Sequence, residues 1–146
     1  MLAALKYFLG SPPAERAKVD PKLAVAQLLL EMARADFSPE AAEIATIREL
    51  LMRAYALGAD DLDALLKEAG QRVQRSISLH DAVAAINAAL DLEGRQHLIA
   101  MLWRVAFADG KLDKYEEALL RKVSELLFVP HSIFIREKLA AMGDRH

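Results

Sequence analysis

A turn between two predicted helices lies in the stretch Leu102-Trp-Arg-Val-Ala-Phe-Ala-Asp-Gly-Lys-Leu-Asp-Lys-Tyr-Glu-Glu117. Apolar residues recur every three or four positions before Asp109 and again after Asp113, which is typical of amphipathic helices. Asp113 precedes Glu116 by three residues, the spacing of a capping box at a helix start. The stretch therefore predicts a helix, a short turn and a second helix.

The same helical pattern continues along the rest of the chain. Asp20-Pro21 and Ser38-Pro39 each place an N-cap residue before a first-turn proline, and Gly58 and Gly70 are predicted to end helices. The predicted helices span 1–9, 21–35, 39–57, 60–70 (capped by Asp60 or Asp61), 78–90, 93–108, 113–127 and 130–142. No strand or hairpin signal occurs, so we expect an all-α, compact bundle of seven or eight helices.

Size and composition favour one soluble domain. The chain has 146 residues, of which 54% are hydrophobic, enough for a single core. We expect residues 1–146 to form one domain, with an N-terminal helix and a proline-containing linker over 1–19. The apolar run 1–9 is too short to span a bilayer, and no other segment is long enough, so no transmembrane segment is expected.

Charge and cysteine content narrow the classes of function. The formal net charge is -2, which lacks the basic excess of a nucleic-acid-binding protein. Because the chain has no cysteine, it has no disulfide framework, and a reducing cytoplasmic location is expected. Nucleic acid is therefore not an expected partner.

An internal repeat appears when the chain is shifted by 73 residues. The stretch Leu28-Leu-Leu-Glu-Met-Ala-Arg-Ala-Asp36 then aligns with Met101-Leu-Trp-Arg-Val-Ala-Phe-Ala-Asp109. Beyond these stretches acidic residues align without a gap, Glu40 with Asp113 and Glu43 with Glu116. Part of this agreement is expected by chance in a helical chain rich in Ala and Leu. Duplication remains the favoured interpretation, and it predicts two helix-turn-helix units related by a pseudo-twofold axis.

Each unit places three carboxylates across its turn. They are Asp36, Glu40 and Glu43 in the first unit, and Asp109, Asp113 and Glu116 in the second. Their oxygens would converge on a hard cation such as calcium, magnesium or manganese. The alternative is structural, because acidic residues at helix starts cap backbone N–H groups and interact favourably with the helix dipole. An EF-hand is excluded, because Lys111 and Leu120 occupy positions at which that loop needs acids.

No catalytic motif accompanies the acidic clusters. The chain lacks a serine-hydrolase elbow, a Walker loop and a dinucleotide fingerprint, and its histidines have no recognisable nucleophile. Glu93 and His97 lie one turn apart, a spacing compatible with metal binding, but a surface pair is the favoured interpretation. Three aromatic residues are expected in core and hinge packing: Trp103, Phe107 and Tyr115. Three arginines are candidates to pair with the acids and so disfavour a metal: Arg95, Arg104 and Arg121. We therefore expect a protein that is not an enzyme.

The second turn, together with Ala89-Leu-Asp-Leu-Glu-Gly-Arg95, resembles the TerB-like family of tellurite-resistance proteins. With the weaker first copy, Leu28 to Leu51, the resemblance covers roughly residues 20–142. It is also similar to the TerB-like domain fused to J-domain co-chaperones. The resemblance implies an all-α fold of two pseudo-repeated units, acidic clusters that bind divalent metal, and a role in stress-linked assemblies, often associated with membranes.

The acidic residues match the acidic positions of the family to different degrees. Asp36, Asp109, Asp113 and Glu116 match the acidic positions of the family, and Glu40 and Glu43 match them less closely. Phe37 stands where the family usually has glycine, so the first turn is expected to have relaxed. The sequence thus predicts a non-catalytic domain that binds a protein partner, with a membrane surface and a homodimer among the options. Divalent metal at the turns is a candidate regulator, and a scaffold without metal is the alternative.

Overall fold

Helix α1 (Pro21–Arg34) is buried along most of its length in the computed structural model, which describes residues 19–34, 41–75 and 79–143. All side chains from Leu23 to Leu29 are buried. A helix that is apolar on nearly every face needs partners on nearly every side. Helix α1 is therefore the centre around which the other helices pack.

The remaining helices surround α1. They are α2 (Ala41–Tyr55), α3 (Ala59–Gln74), α4 (Leu79–Ala89), α5 (Leu92–Ala106), α6 (Lys114–Leu126) and α7 (His131–Gly143). Helices α2 to α6 all pack against α1, and α7 packs against α5 and α6. The described ranges contain these seven helices and no strand, so the predicted all-α fold is confirmed.

A single hydrophobic core receives buried side chains from all seven helices. Trp103 of α5 is fully buried, and its indole N–H donates a hydrogen bond to the carbonyl oxygen of Phe134 in α7 at 3.1 Å. The two rings also pack with their centroids 4.9 Å apart. Apolar contact and a buried hydrogen bond therefore hold α7 against α5.

Two predicted helix ends are wrong. Helix α2 ends at Tyr55, where Ala56 adopts a left-handed φ of 52°. Gly58 is the N-cap of α3 with a φ of -76°, so the prediction that Asp60 or Asp61 caps this helix is also wrong, and both lie in its first turn. Helix α3 continues through Gly70 to Gln74, because Val73 extends its buried face by one turn. At Gly70, tertiary packing has therefore overridden the usual role of glycine as a helix stop.

The aromatic residues near the second turn divide between core and surface. Trp103 and Phe107 are buried as expected, but Tyr115 is 54% exposed. Helix α6 turns Glu116, Leu120 and Val123 inward, and Tyr115 lies outside this buried face. The expected core position of Tyr115 is therefore wrong.

Part of the sequence prediction falls outside the described residues. The predicted N-terminal helix and linker belong to this part apart from Val19, which packs against the core. The pseudo-twofold axis stays a prediction. Among the described helices, none combines the length and apolar character that crossing a bilayer requires.

Candidate functional site

The second predicted acidic cluster lies at the turn between α5 and α6. Phe107 caps the end of α5, and the N–H of Gly110 donates to the carbonyl oxygen of Phe107 at 2.9 Å. Gly110 has a φ of 86°, a conformation that glycine adopts at little cost. The Asp109-Gly110 pair therefore permits the chain to reverse direction within a few residues.

The two aspartates of this turn accept hydrogen bonds from the backbone. Oδ1 of Asp109 accepts from the N–H of Lys111 at 3.0 Å. Oδ1 of Asp113 accepts from the N–H of Tyr115 at 2.7 Å, which makes Asp113 the N-cap of α6. Both carboxylates thus stabilise local structure, as the capping interpretation predicts.

The glutamates of the clusters differ from the aspartates in burial. Glu116, in the first turn of α6, is 1% exposed, and Glu43, in the first turn of α2, is 0% exposed. A cation from solvent would reach either carboxylate only if the local structure opened. Burial of a glutamate at two positions 73 residues apart agrees with the sequence alignment of the two units.

The structure describes four of the six predicted metal ligands. Asp36 and Glu40 lie outside the described residues, as does Phe37. Within 19–34, 41–75 and 79–143, no group of three or more His, Cys, Asp or Glu side chains is placed where it could hold a metal ion. A metal site that includes residues 35–40 is not tested by this geometry, so the metal stays a prediction.

The arginines expected to pair with the acidic clusters contact other groups. Arg95 donates to the carbonyl oxygen of Leu127 at 2.7 Å. Arg121 forms an ion pair with Glu117 at 3.7 Å, and Arg104 is exposed on α5. Neither the hydrogen bond of Arg95 nor the ion pair of Arg121 reaches Asp109 or Asp113, so the expected pairing is not seen among the described residues.

Sequence reasoning missed an exposed aromatic residue at the turn between α6 and α7. Phe128 is 73% exposed and has a φ of 57°. Its N–H donates to the carbonyl oxygen of Glu125, and the N–H of Val129 donates to that of Ser124, each at 3.0 Å. These two bonds form a Schellman motif, in which the position of Phe128 usually belongs to glycine.

The exposure of Phe128 was not predicted because its sequence neighbours are apolar. It belongs to the apolar run Leu126-Leu-Phe-Val-Pro130, which predicts burial for every member. Leu127 and Val129 are indeed buried. The left-handed turn directs only the middle residue outward, and the following proline is the one local sign that a helix ends there.

The start of α5 lies beside the Phe128 turn. The guanidinium of Arg95 donates to the carbonyl oxygens of Asp91 at 3.2 Å and Leu127 at 2.7 Å. The side-chain amide of Asn87 donates to the carbonyl oxygen of Leu126 at 3.1 Å. Leu92, the first residue of α5, is 41% exposed. One end of the molecule therefore presents two exposed apolar side chains, Phe128 and Leu92.

Comparisons with known proteins identify a family. The model of the family described as tellurite resistance protein TerB matches residues 22–139. The protein therefore belongs to the TerB family, as its acidic turn predicted. No curated protein matches the chain, and the further likeness to the domain of J-domain co-chaperones stays a prediction.

A solved structure shares the fold. It is a crystal structure of a protein of unknown function from Porphyromonas gingivalis W83, with a TM-score of 0.60 and 28% sequence identity. The match covers 82% of this chain and 94% of the other. Since the function of that protein is unknown, the match supports the fold and assigns no activity.

Proposed function

We propose that this TerB-family chain is a non-catalytic, stress-associated, cytoplasmic domain that binds a protein partner. The observation that carries the proposal is Phe128, a large apolar side chain that is 73% exposed on a left-handed backbone. A phenylalanine at this position adds strain and removes little of its own surface from water. A contact with a partner would recover the apolar area that folding leaves exposed.

The capping geometry supports the same proposal. Asp109 and Asp113 both use Oδ1 for backbone N–H groups, which accounts for their presence without a metal. The acidic turn is thus well explained as a structural element of a binding domain. The proposed interaction surface lies elsewhere on the molecule, at Phe128.

Site-specific photo-crosslinking tests the proposal. A benzoylphenylalanine at position 128 should give a discrete crosslinked species in cells that naturally produce the protein. The matched control is the same substitution at Leu139 of α7, which is 61% exposed. A product with twice the mass of the chain would identify a second copy as the partner. Equal products from both positions, or none from position 128, would contradict the proposal.

Divalent metal at the second turn is the second candidate function. Asp109 is exposed and Asp113 half-buried, and each uses only Oδ1 in its hydrogen bond with the backbone. The Oδ2 atoms of both residues are hard oxygen donors, which suit calcium, magnesium or manganese. If a metal binds, these two residues would hold it, and opening of the turn would add Glu116.

Thermal unfolding with added metal tests the second candidate. Chelator-treated protein would be titrated with calcium, magnesium and manganese in parallel with Asp109→Asn. Metal at 100 times its dissociation constant adds about 2.7 kcal/mol of stability, which a melt resolves. Asp61→Asn, in the first turn of α3, is the control for a general loss of negative charge. A flat titration would assign the acids to helix capping alone.

A further inference from the structure

The end of the molecule around Phe128 combines an apolar centre with an acidic border. We define the Phe128 surface as Phe128, Leu92, Asp91, Glu93 and Glu125. Arg95 fixes its geometry, because one guanidinium bonds the carbonyl oxygens of both Asp91 and Leu127. The backbone before Leu92 and the backbone before Phe128 are therefore neighbours, although they are far apart in the sequence.

The three carboxylates of the Phe128 surface are exposed, and they outnumber Arg95, the cation that joins its two segments. Asp91, Glu93 and Glu125 are all exposed. Neither Glu93 nor Glu125 forms an ion pair with a residue in the described ranges. The C-terminus of α6 adds a negative partial charge at this surface, and the N-terminus of α5, capped by Asp91, adds a positive one. The guanidinium of Arg95 lies among these carboxylates and bonds two backbone carbonyl oxygens.

A shallow depression extends the negative charge along α5 toward α7. Its volume is about 480 Å³, and its lining includes Asp91, Glu93, His97 and Glu137 but no lysine or arginine. Glu137 pairs with Arg136 at 3.3 Å, whereas Asp91 caps α5 through the N–H of Gly94 at 2.8 Å. An extended or helical segment that reaches Phe128 could therefore continue past these carboxylates.

We infer that the Phe128 surface binds a cationic segment of a partner protein that carries a large apolar side chain. The apolar side chain would contact Phe128 and Leu92, and lysine or arginine side chains would meet Asp91, Glu93 and Glu125. An anionic partner would face like charges, which the surface disfavours. The inference rests on the proposed function, since it names the chemistry of the partner that the proposed domain binds.

Binding of two designed peptides to the full chain tests the inference. One is a short amphipathic peptide of leucine and lysine, and the other has glutamate in place of each lysine. Fluorescence anisotropy of the labelled peptides gives the dissociation constants. The cationic peptide should bind, the anionic peptide should bind about tenfold more weakly or not at all, and added salt should reduce the difference between them.

Variants locate the binding on the Phe128 surface. Phe128→Ser should lower the affinity for the cationic peptide about tenfold. Leu92→Ser is a second test at a different backbone position. The double variant Glu93→Lys with Glu125→Lys should lower the affinity for the cationic peptide to a similar extent. The matched controls are Leu139→Ser for the loss of an exposed leucine, and Asp61→Lys with Glu68→Lys for the reversal of two exposed charges. Both controls should retain the affinity of the parent protein.

The outcomes separate the inference from the proposed function. If both peptides bind equally and Phe128→Ser weakens both, the cationic partner is excluded while a binding role for Phe128 stands. If the cationic peptide does not bind, or if the controls weaken it as much as the variants, the inference is overturned. Failure of Phe128→Ser to change any binding, together with no crosslinked product at position 128, would overturn the proposed function as well.

Discussion

Phe128 occupies a backbone position that favours glycine, and its side chain is exposed. Its left-handed φ of 57° brings the Cβ atom close to a backbone carbonyl, at a cost of roughly 1 to 2 kcal/mol for a residue other than glycine. The ring is 73% exposed, so burial offsets little of that cost. Phe128 is therefore better explained by binding than by stability.

Replacement of Phe128 by glycine should stabilise the protein. We expect Phe128→Gly to raise the free energy of unfolding by about 0.5 to 1 kcal/mol, because glycine adopts the left-handed conformation without a Cβ clash. Urea denaturation followed by circular dichroism measures the change. Phe128→Ala is the control, since it removes the ring but keeps the Cβ atom, and it should give no gain. A loss of stability in Phe128→Gly would show that the ring stabilises the fold.

Glu31 provides a second prediction at the scale of one residue. Burial raises the pKa of the Glu31 carboxyl above 4.5, and the charge of Arg34 offsets part of that rise. The folded state thus binds the proton more tightly than the unfolded state does. Below pH 4.5 the carboxyl is protonated in both states, and its unfavourable contribution develops as the pH rises through the raised pKa.

Glu31→Gln should therefore become more stabilising as the pH rises. We expect the melting temperature of the variant, relative to that of the parent protein, to increase between about pH 4 and about pH 7. Glu68→Gln, which changes an exposed glutamate of α3, is the matched control. A difference in melting temperature that stays constant with pH would contradict the burial effect.

At the scale of one helix, the start of α6 was easier to predict than the end of α3. Asp113 was identified as the cap of α6 because the requirement for an acceptor at the first N–H groups is local. Gly70 was misread as a stop, because whether a helix continues depends on what its next turn packs against. Val73 contacts the core only after the chain has folded, so its effect on α3 was not available from the spacing of glycines.

The candidate site shows the same division between local and tertiary information. The sequence predicted that acidic residues would surround the turn before α6, and Asp109 and Asp113 do lie there. It could not predict the burial of Glu116, because that depends on how α6 packs. The Phe128 surface depends on Arg95, which joins two segments distant in the sequence, and no local pattern signals such a contact.

The cap of α6 gives a prediction at the scale of that helix. Asp113→Ala should lower the free energy of unfolding by about 0.5 to 2 kcal/mol, because it removes the acceptor for the N–H of Tyr115. Asp91→Ala is a matched control, since Asp91 caps α5 through Gly94 at 2.8 Å and lies outside the acidic turn. If Asp113 acts only as a cap, Asp113→Ala will lower the free energy of unfolding by the same amount with and without divalent metal. A loss of stability that is larger in the presence of metal would instead support Asp113 as a metal ligand.

At the scale of the whole molecule, α1 connects the parts of the fold. Five of the other helices pack against it, and α7 is attached through α5 and α6. The core is continuous across all seven helices, so no helix has a separate apolar core on which to fold independently. This arrangement favours one cooperative unit made of the seven described helices, and the single domain over residues 1–146 stays a prediction.

Equilibrium unfolding tests that cooperativity. Trp103 is the only tryptophan, and it is fully buried where α5 meets α7, so its fluorescence reports the attachment of α7. Far-ultraviolet circular dichroism reports all the helices. We expect both signals to change at the same urea concentration, because disruption of α7 would expose the core that α1 and α5 share. If the fluorescence changes at a lower concentration than the circular dichroism, α7 separates first and the chain does not unfold as a single domain.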